Sequence, residues 1–128
     1  MTDDNIITLV NKFIKNDEKH LIYKVEQGQD KDKKWHAENY TNTQEKSEHS
    51  GKLRVFNSLF CKHRGNNIFY VLIEKQMFAI YKMCGTWTLE YKMGRILFKS
   101  EYPSRIKVIN SLFKKRSGVK KFYIILEG

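Results

Sequence analysis

Three groups of residues in this sequence have types and spacings that could do chemistry. Glu90 and Lys92 form an E-x-K on one predicted strand, with Glu74 upstream. Metal-dependent nucleases use two carboxylates to hold a divalent ion while a lysine steadies the attacking water or the developing charge, so Glu74, Glu90 and Lys92 define a nuclease reading. Against it, no Pro-Asp partner lies upstream, and Glu74 recurs as Glu127 in an equivalent context that marks a strand end. The second group is Cys61-x-His63 with Cys84 and one of His20, His36 or His49. Zinc sites are announced by paired ligands such as C-x-x-C or H-x-x-x-H, and none is present. Gly-rich phosphate loops and nucleophile elbows are also missing. The sequence therefore assigns no catalytic residue, metal or cofactor, and the chain reads as non-enzymatic.

The third group is basic and aromatic. Tyr81, Lys82, Trp87, Tyr91, Lys92, Arg95 and Lys99 interleave rings and cations over predicted strands. A sheet that presents rings flanked by cations can stack bases and track phosphates, at roughly 1–3 kcal/mol per stacked base. Trp87 and Tyr91 also alternate with Leu89 and Met93, which fits a buried face equally well. A second cluster, Lys114, Lys115 and Arg116 with Lys120 and Lys121, sits where a helix gives way to a strand, and Lys62-His63-Arg64 repeats its charge earlier in the chain. Such charges either clamp a backbone or solvate a turn.

The overall charge favours the first use. The formal net charge is +10, and it is unevenly placed. Residues 1–50 carry eight Lys and ten Asp or Glu, whereas residues 51–128 carry sixteen Lys or Arg and four acids. Such a field attracts a polyanion, of which nucleic acid is the commonest. Lys outnumbers Arg nineteen to five, so phosphate contact with low sequence specificity is expected over base reading by bidentate guanidinium. An acidic protein surface is the second candidate partner. The N-terminal Thr2-Asp3-Asp4 does not suit a secretory signal, no apolar run reaches the ~20 residues of a membrane span, and the two cysteines form no framework. An intracellular, non-secreted protein is expected. The Lys, Asn and Ile richness is of the kind that A+T-rich coding produces, as in phages and viruses.

The elements that must position these residues are suggested by a duplication. Residues 54–74, RVFNSLFCKHRGNNIFYVLIE, align without a gap on residues 107–127, KVINSLFKKRSGVKKFYIILE, and ten of the 21 pairs are identical. Each copy reads as helix, glycine stop at Gly65 or Gly118, then a strand. Leu53, Phe56, Leu59 and Phe60 are placed on one helix face, and Ile106, Ile109, Leu112 and Phe113 on the other, with Pro103-Ser104 as a start signal. The strands IFYVLIE and FYIILE are apolar on both faces, so they belong at the centre of a sheet. Between the copies, MFAIYKM, WTLEYKM and RILFKSEY read as an antiparallel meander turned at Gly85 and Gly94. Upstream, helical spacing of Ile6, Leu9, Val10, Phe13 and Ile14 precedes a strand HLIYKVEQ. Residues 28–51 are polar, with a strand around Trp35 and a mobile loop over 41–51.

The expected fold is therefore α+β: antiparallel sheets with helices on one face, built from two related β-meander-plus-helix units in one domain, 1–128. The first unit spans 1–66 with the polar loop 28–51, and the second, basic unit spans 67–128. The apolar strands would also permit a homodimer through a sheet edge or face. The motifs LFCKHRGNNIFY (59–70) and LFKKRSGVKKFY (112–123) resemble the close of the helix and entry to the last strand in WGR domains. The tripeptide that names that family is missing, and CGT (84–86) and MGR (93–95) are the nearest stretches. Of the DNA-end contacts the resemblance implies, only Arg95 has a counterpart. The layout is also similar to PUR-repeat and Whirly proteins, which implies binding of single strands on a curved sheet.

Overall fold

The computed structural model describes residues 20–127 except 30, 32, 41–44 and 64. The expected N-terminal helix lies outside the described residues. From there the chain runs β1 (His20–Gln27), β2 (Trp35–Asn39), β3 (Lys46–His49), α1 (Lys52–Lys62), β4 (Ile68–Ile73), β5 (Gln76–Met83), β6 (Thr86–Met93), β7 (Ile96–Tyr102), α2 (Arg105–Lys114) and β8 (Lys121–Glu127). The fold is α+β. Instead of several sheets, all eight strands join one sheet in the order β3-β2-β1-β8-β4-β5-β6-β7, and every neighbouring pair is antiparallel.

The two strands that are apolar on both faces occupy the centre, as their composition requires. β4 pairs with β8 in the register Phe69↔Leu126, Tyr70↔Ile125, Val71↔Ile124, Leu72↔Tyr123. Alternate residues then face opposite ways. Phe69, Val71, Phe122, Ile124 and Leu126 join the main core beneath the helices, while Leu72, Tyr123 and Ile125 join a smaller cluster on the other face with Ile22 and Met77.

Both helices cover the main core. α1 buries Val55, Phe56, Leu59 and Phe60, and α2 buries Val108, Ile109, Leu112 and Phe113. The expected Leu53 and Ile106 are instead exposed. The reason is rotational: Val55 and Val108 complete the tighter 3–4 spacing with Leu59 and Leu112, so the buried stripe turns away from the first helical residues. Phe56 is the hub of the core. Its ring lies parallel to Phe122 with centroids 5.7 Å apart and meets Phe60, Phe69 and Phe113 at 6.0–6.4 Å.

The local signals act where the backbone needs them. Ser104 caps α2, its hydroxyl accepting from the Lys107 N–H at 3.3 Å. α1 begins at Gly51 with no side-chain cap. The β5–β6 hairpin turns through Cys84 and Gly85, at φ +53° and +80°, the pair of positive angles that a type I′ turn demands. Gly65 does take a positive φ, but two residues beyond the cap of α1, and Gly118 is not among the positive-φ glycines, because α2 ends earlier in an Arg116 N–H to Phe113 carbonyl turn. The segment expected as a loop over 41–51 contains β3. Its residues are polar because β3 is an edge strand, where Lys46–Glu38 and His36–Glu48 pairs at 3.9 and 3.6 Å replace apolar packing. The opposite edge, β7, exposes Ile96, Leu97 and Phe98. Among the described residues no helix is long and apolar enough to cross a membrane.

Truncating the hub tests this packing. Phe56→Ala should cost about 3–5 kcal/mol in chemical denaturation, whereas the exposed Leu53→Ala should stay within about 0.5 kcal/mol.

Candidate nucleic-acid interface

In an antiparallel sheet the connections fall alternately at the two ends, so the registers decide which loops become neighbours. One end collects the β1–β2 connection, the β3–α1 junction, the β4–β5 and β6–β7 turns, and the α2–β8 connection. That end gathers cations from segments far apart in sequence. The α2–β8 connection supplies Lys115, Arg116 and Lys120, with Lys114 and Lys121 at its flanks, and the β6–β7 turn supplies Arg95 beside Lys92. Lys33 and Lys34 precede β2, and the Gln27 N–H to Lys120 carbonyl bond of 2.8 Å ties β1 to the start of β8. Lys52 and Arg54 open α1 at the same end. Among the described residues of these connections the one carboxylate is Glu74; Asp30 and Asp32 lie outside them.

The aromatic residues named from sequence are not arranged as a platform. Trp87 is buried, 6.2 Å from the Phe69 ring. Tyr91 is wedged between Phe78 and Phe98 at 5.0 and 5.1 Å. Tyr81 pairs with Thr88 and Ile68 on the face away from the helices, where Lys92 and Lys99 also lie. Lys99 is paired with Glu90 at 3.3 Å. Lys82 lies across from Trp87 on the helix-bearing side, at the other end of the sheet. Arg116 folds inward: its guanidinium lies 4.6 Å from the Phe78 centroid, and Nη1 donates to the Leu112 carbonyl at 3.2 Å. It borders a cleft of about 520 Å³ shared with Ile73, Lys120 and Lys121. The structure thus puts the α2–β8 cations and Arg95 at the same end of the sheet, with Arg116 also 5.9 Å from the Tyr91 ring, and leaves Lys82 at the opposite end.

The strand carboxylates are sorted by face. Glu26, Glu38, Glu48, Glu90 and Glu101 occupy positions that alternate with core residues, so all five sit on the face without helices. The helices themselves contain no acid. Their outward residues include Arg54, Asn57, Lys107 and Asn110, all exposed. Sequence reasoning missed this surface because it followed rings on strands; the usable signal was two helical segments without an Asp or Glu.

Two grooves flank the helix pair. One lies between the start of α1 and the end of α2, lined by Lys52, Leu53, Arg54, Asn110, Phe113 and Lys114. The other lies between the start of α2 and the middle of α1, and includes Arg105, Ile106, Asn57 and Phe60. Lys52 Nζ stands 4.7 Å from the Phe113 ring and 5.5 Å from Trp35; the Arg105 guanidinium stands 4.0 Å from Phe60 and 5.5 Å from Trp87. Burial against these rings lowers the pKa of both cations. Neither has an ion-pair partner among the described residues.

The other arrangements read from sequence are dispersed. Glu74 occupies the β4–β5 turn at φ +56°, Glu90 is engaged by Lys99, and Lys92 points from the next position on that face. Cys61 and Cys84 are exposed on separate elements, and among the described residues no three His, Cys, Asp or Glu side chains cluster as metal ligands. One polar network is dense, at the opposite end of the sheet. Tyr23 Oη donates to Glu45 Oε1 at 3.2 Å and contacts His63 Nε2 at 3.1 Å, while Asn39 and Lys62 donate to the same carboxylate at 2.8 and 3.1 Å. It ties β1 and β2 to the end of α1. No family model matches this sequence, and no curated protein or solved structure is similar to it.

The network makes stability sensitive to alkali. Burial, reinforced by the Glu45 charge and hydrogen bond, pushes the Tyr23 phenol up to about 12 from an ordinary 10.0. The unfolded chain ionises first, so this contribution is complete below the ordinary value and is lost as pH rises through the folded one. Denaturation of wild type and Tyr23→Phe from pH ~9 to ~12 should show their stability difference shrinking in that window. A constant difference would mean that the phenol ionises normally.

Proposed function

We propose that this protein is a non-enzymatic nucleic-acid-binding module that grips its ligand through phosphates, with little sequence preference. The observation that carries the reading is the convergence of cations from separate segments, Lys114, Lys115, Lys120, Lys121 and Arg95, on one end of the sheet, where the described connections hold a single carboxylate. Flexible, strongly hydrated lysines suit a uniform polyanion and lend themselves poorly to base reading. Trp87 is packed into the core and Tyr91 is held between Phe78 and Phe98, so neither offers a free face for stacking. The reading therefore moves away from base contact on the strands, and from the single-strand platform that the PUR and Whirly resemblance implied.

The reading includes an architectural part: the domain is two related βββαβ units, β1–β4 with α1 and β5–β8 with α2, that exchange their last strands. In support, Val71 pairs with Ile124, its own counterpart 53 positions on, which puts a pseudo-twofold axis through the middle of the β4–β8 ladder. The Lys52–Phe113 and Arg105–Phe60 contacts are exchanged by the same shift of 53. A paired protein surface suits a repeating ligand.

Fluorescence anisotropy with matched duplex DNA, single-stranded DNA and RNA, from low to moderate salt, tests the function. We expect micromolar or tighter binding at low salt that weakens steeply as salt rises. The Lys115→Glu, Lys120→Glu, Lys121→Glu triple variant should keep its far-ultraviolet circular dichroism and lose at least about tenfold in affinity. Retained affinity would move the site elsewhere on the domain. Absence of binding to all three probes would point instead to an acidic protein partner.

A further inference from the structure

We propose that the ligand is a nucleic-acid duplex lying across the outer face of α1 and α2, with its two strands held at two equivalent places, Arg54 with Asn110 and Lys107 with Asn57. This rests on the nucleic-acid reading and adds to it the docking surface and the strandedness of the ligand. Three observations lead to it.

The first is electrostatic. The five strand carboxylates named above lie on the helix-free face, and both helices lack acids; Glu45, at the far end of α1, is engaged by Lys62, so the helix-bearing face is where a polyanion meets cations and amides with the least repulsion. This face is continuous with the basic end of the sheet, because Arg54 and Lys114 line one groove.

The second is positional. Arg54 and Lys107 stand 53 residues apart, as do Asn57 and Asn110, and all four are exposed. α1 runs away from the basic end and α2 runs toward it, so the two helices are antiparallel and each groove joins the start of one to a later part of the other. An antiparallel duplex has local dyads perpendicular to its axis, and a protein with a matching dyad offers the same donors to both strands. Arg54 and Asn110 line one groove; Asn57 lines the other beside Ile106, and Lys107 is the next residue of α2 after Ile106, so each place offers a cation and an amide to one backbone.

The third is the lack of an outward ring on the two helices; the exposed Phe98 lies on the edge strand β7 and is stacked on Tyr91. Phe56, Phe60 and Phe113 are all buried beneath the helices. Single-strand binders use exposed rings for unpaired bases; here the outward helix residues are mainly cations and amides, with Leu53 and Ile106 the exposed apolar side chains and no ring among them. Lys52 and Arg105, held against rings in the two grooves and without a carboxylate partner among the described residues, add positive charge beside each contact.

The full-length chain should be titrated with a fluorescent blunt-ended duplex DNA of about 20 base pairs, a duplex RNA of equal length, and the separate strands. The Arg54→Gln/Lys107→Gln and Arg54→Glu/Lys107→Glu variants would be compared with wild type and with the triple variant above, with folding checked by circular dichroism. We expect a duplex to bind at least about tenfold tighter than its strands, and the glutamine pair to lower the salt-dependence slope by about 2. Asn57→Ala/Asn110→Ala should weaken duplex binding without changing that slope. Unchanged duplex affinity in the folded glutamate pair, or tighter binding of single strands, would overturn this proposal and leave the phosphate-binding function standing. A wild-type chain that bound none of the probes would overturn both.

Discussion

The β4–β8 ladder is the contact on which the rest depends. Its strands are apolar on both faces, so neither is stable until it is flanked on both sides and covered above and below. β8 comes last in the described chain yet must enter between β1 and β4, pairing with Leu21–Glu26 on one side and Phe69–Leu72 on the other. No strand ladder joins the β1 side of the sheet to β4 and the β5–β7 meander until that strand is placed. The described chain therefore depends heavily on non-local contacts, a topology that folds slowly relative to its size.

That central ladder also determines how charge is displayed. Once β4 and β8 fix which face carries the helices, the pleat assigns every other strand residue to one face or the other. Glutamates at positions alternating with core residues must then collect on the helix-free face. The same constraint forces the connections to alternate between ends, which gathers the cations of the α2–β8 segment, the β6–β7 turn and the start of α1. Charge segregation follows from pleat and topology together, and no single pair of side chains produces it.

Several elements were legible in the residues themselves. β1 coincides with HLIYKVEQ, the meander strands and their turns at Gly85 and Gly94 stand where alternation placed them, and the two doubly apolar strands are central. Other features were not legible. β3 lacks any apolar signal because it is an edge strand held by backbone pairing to β2, with polar side chains, and local polarity cannot distinguish that from a loop. Helix periodicity alone could not choose between Leu53 and Val55, since only the direction of the neighbouring sheet decides which side of the cylinder is buried. Trp87 and Tyr91 could serve as core or as platform on period-2 alternation; the packing buries Trp87 against Phe69 and leaves Tyr91 half-buried between Phe78 and Phe98.

Read alone, the residues established the types of the described elements other than β3, the interior position of the two most apolar strands and an excess of positive charge in the second half. These are properties of local period, side-chain volume and formal charge, which a linear chain displays directly. Only the tertiary structure decided that the strands form one sheet, that β8 parts β1 from β4, and that cations from distant segments share one end and one face. Those outcomes depend on pairing partners and strand direction, which are set when all the apolar faces are buried at once and are written in no single stretch of residues.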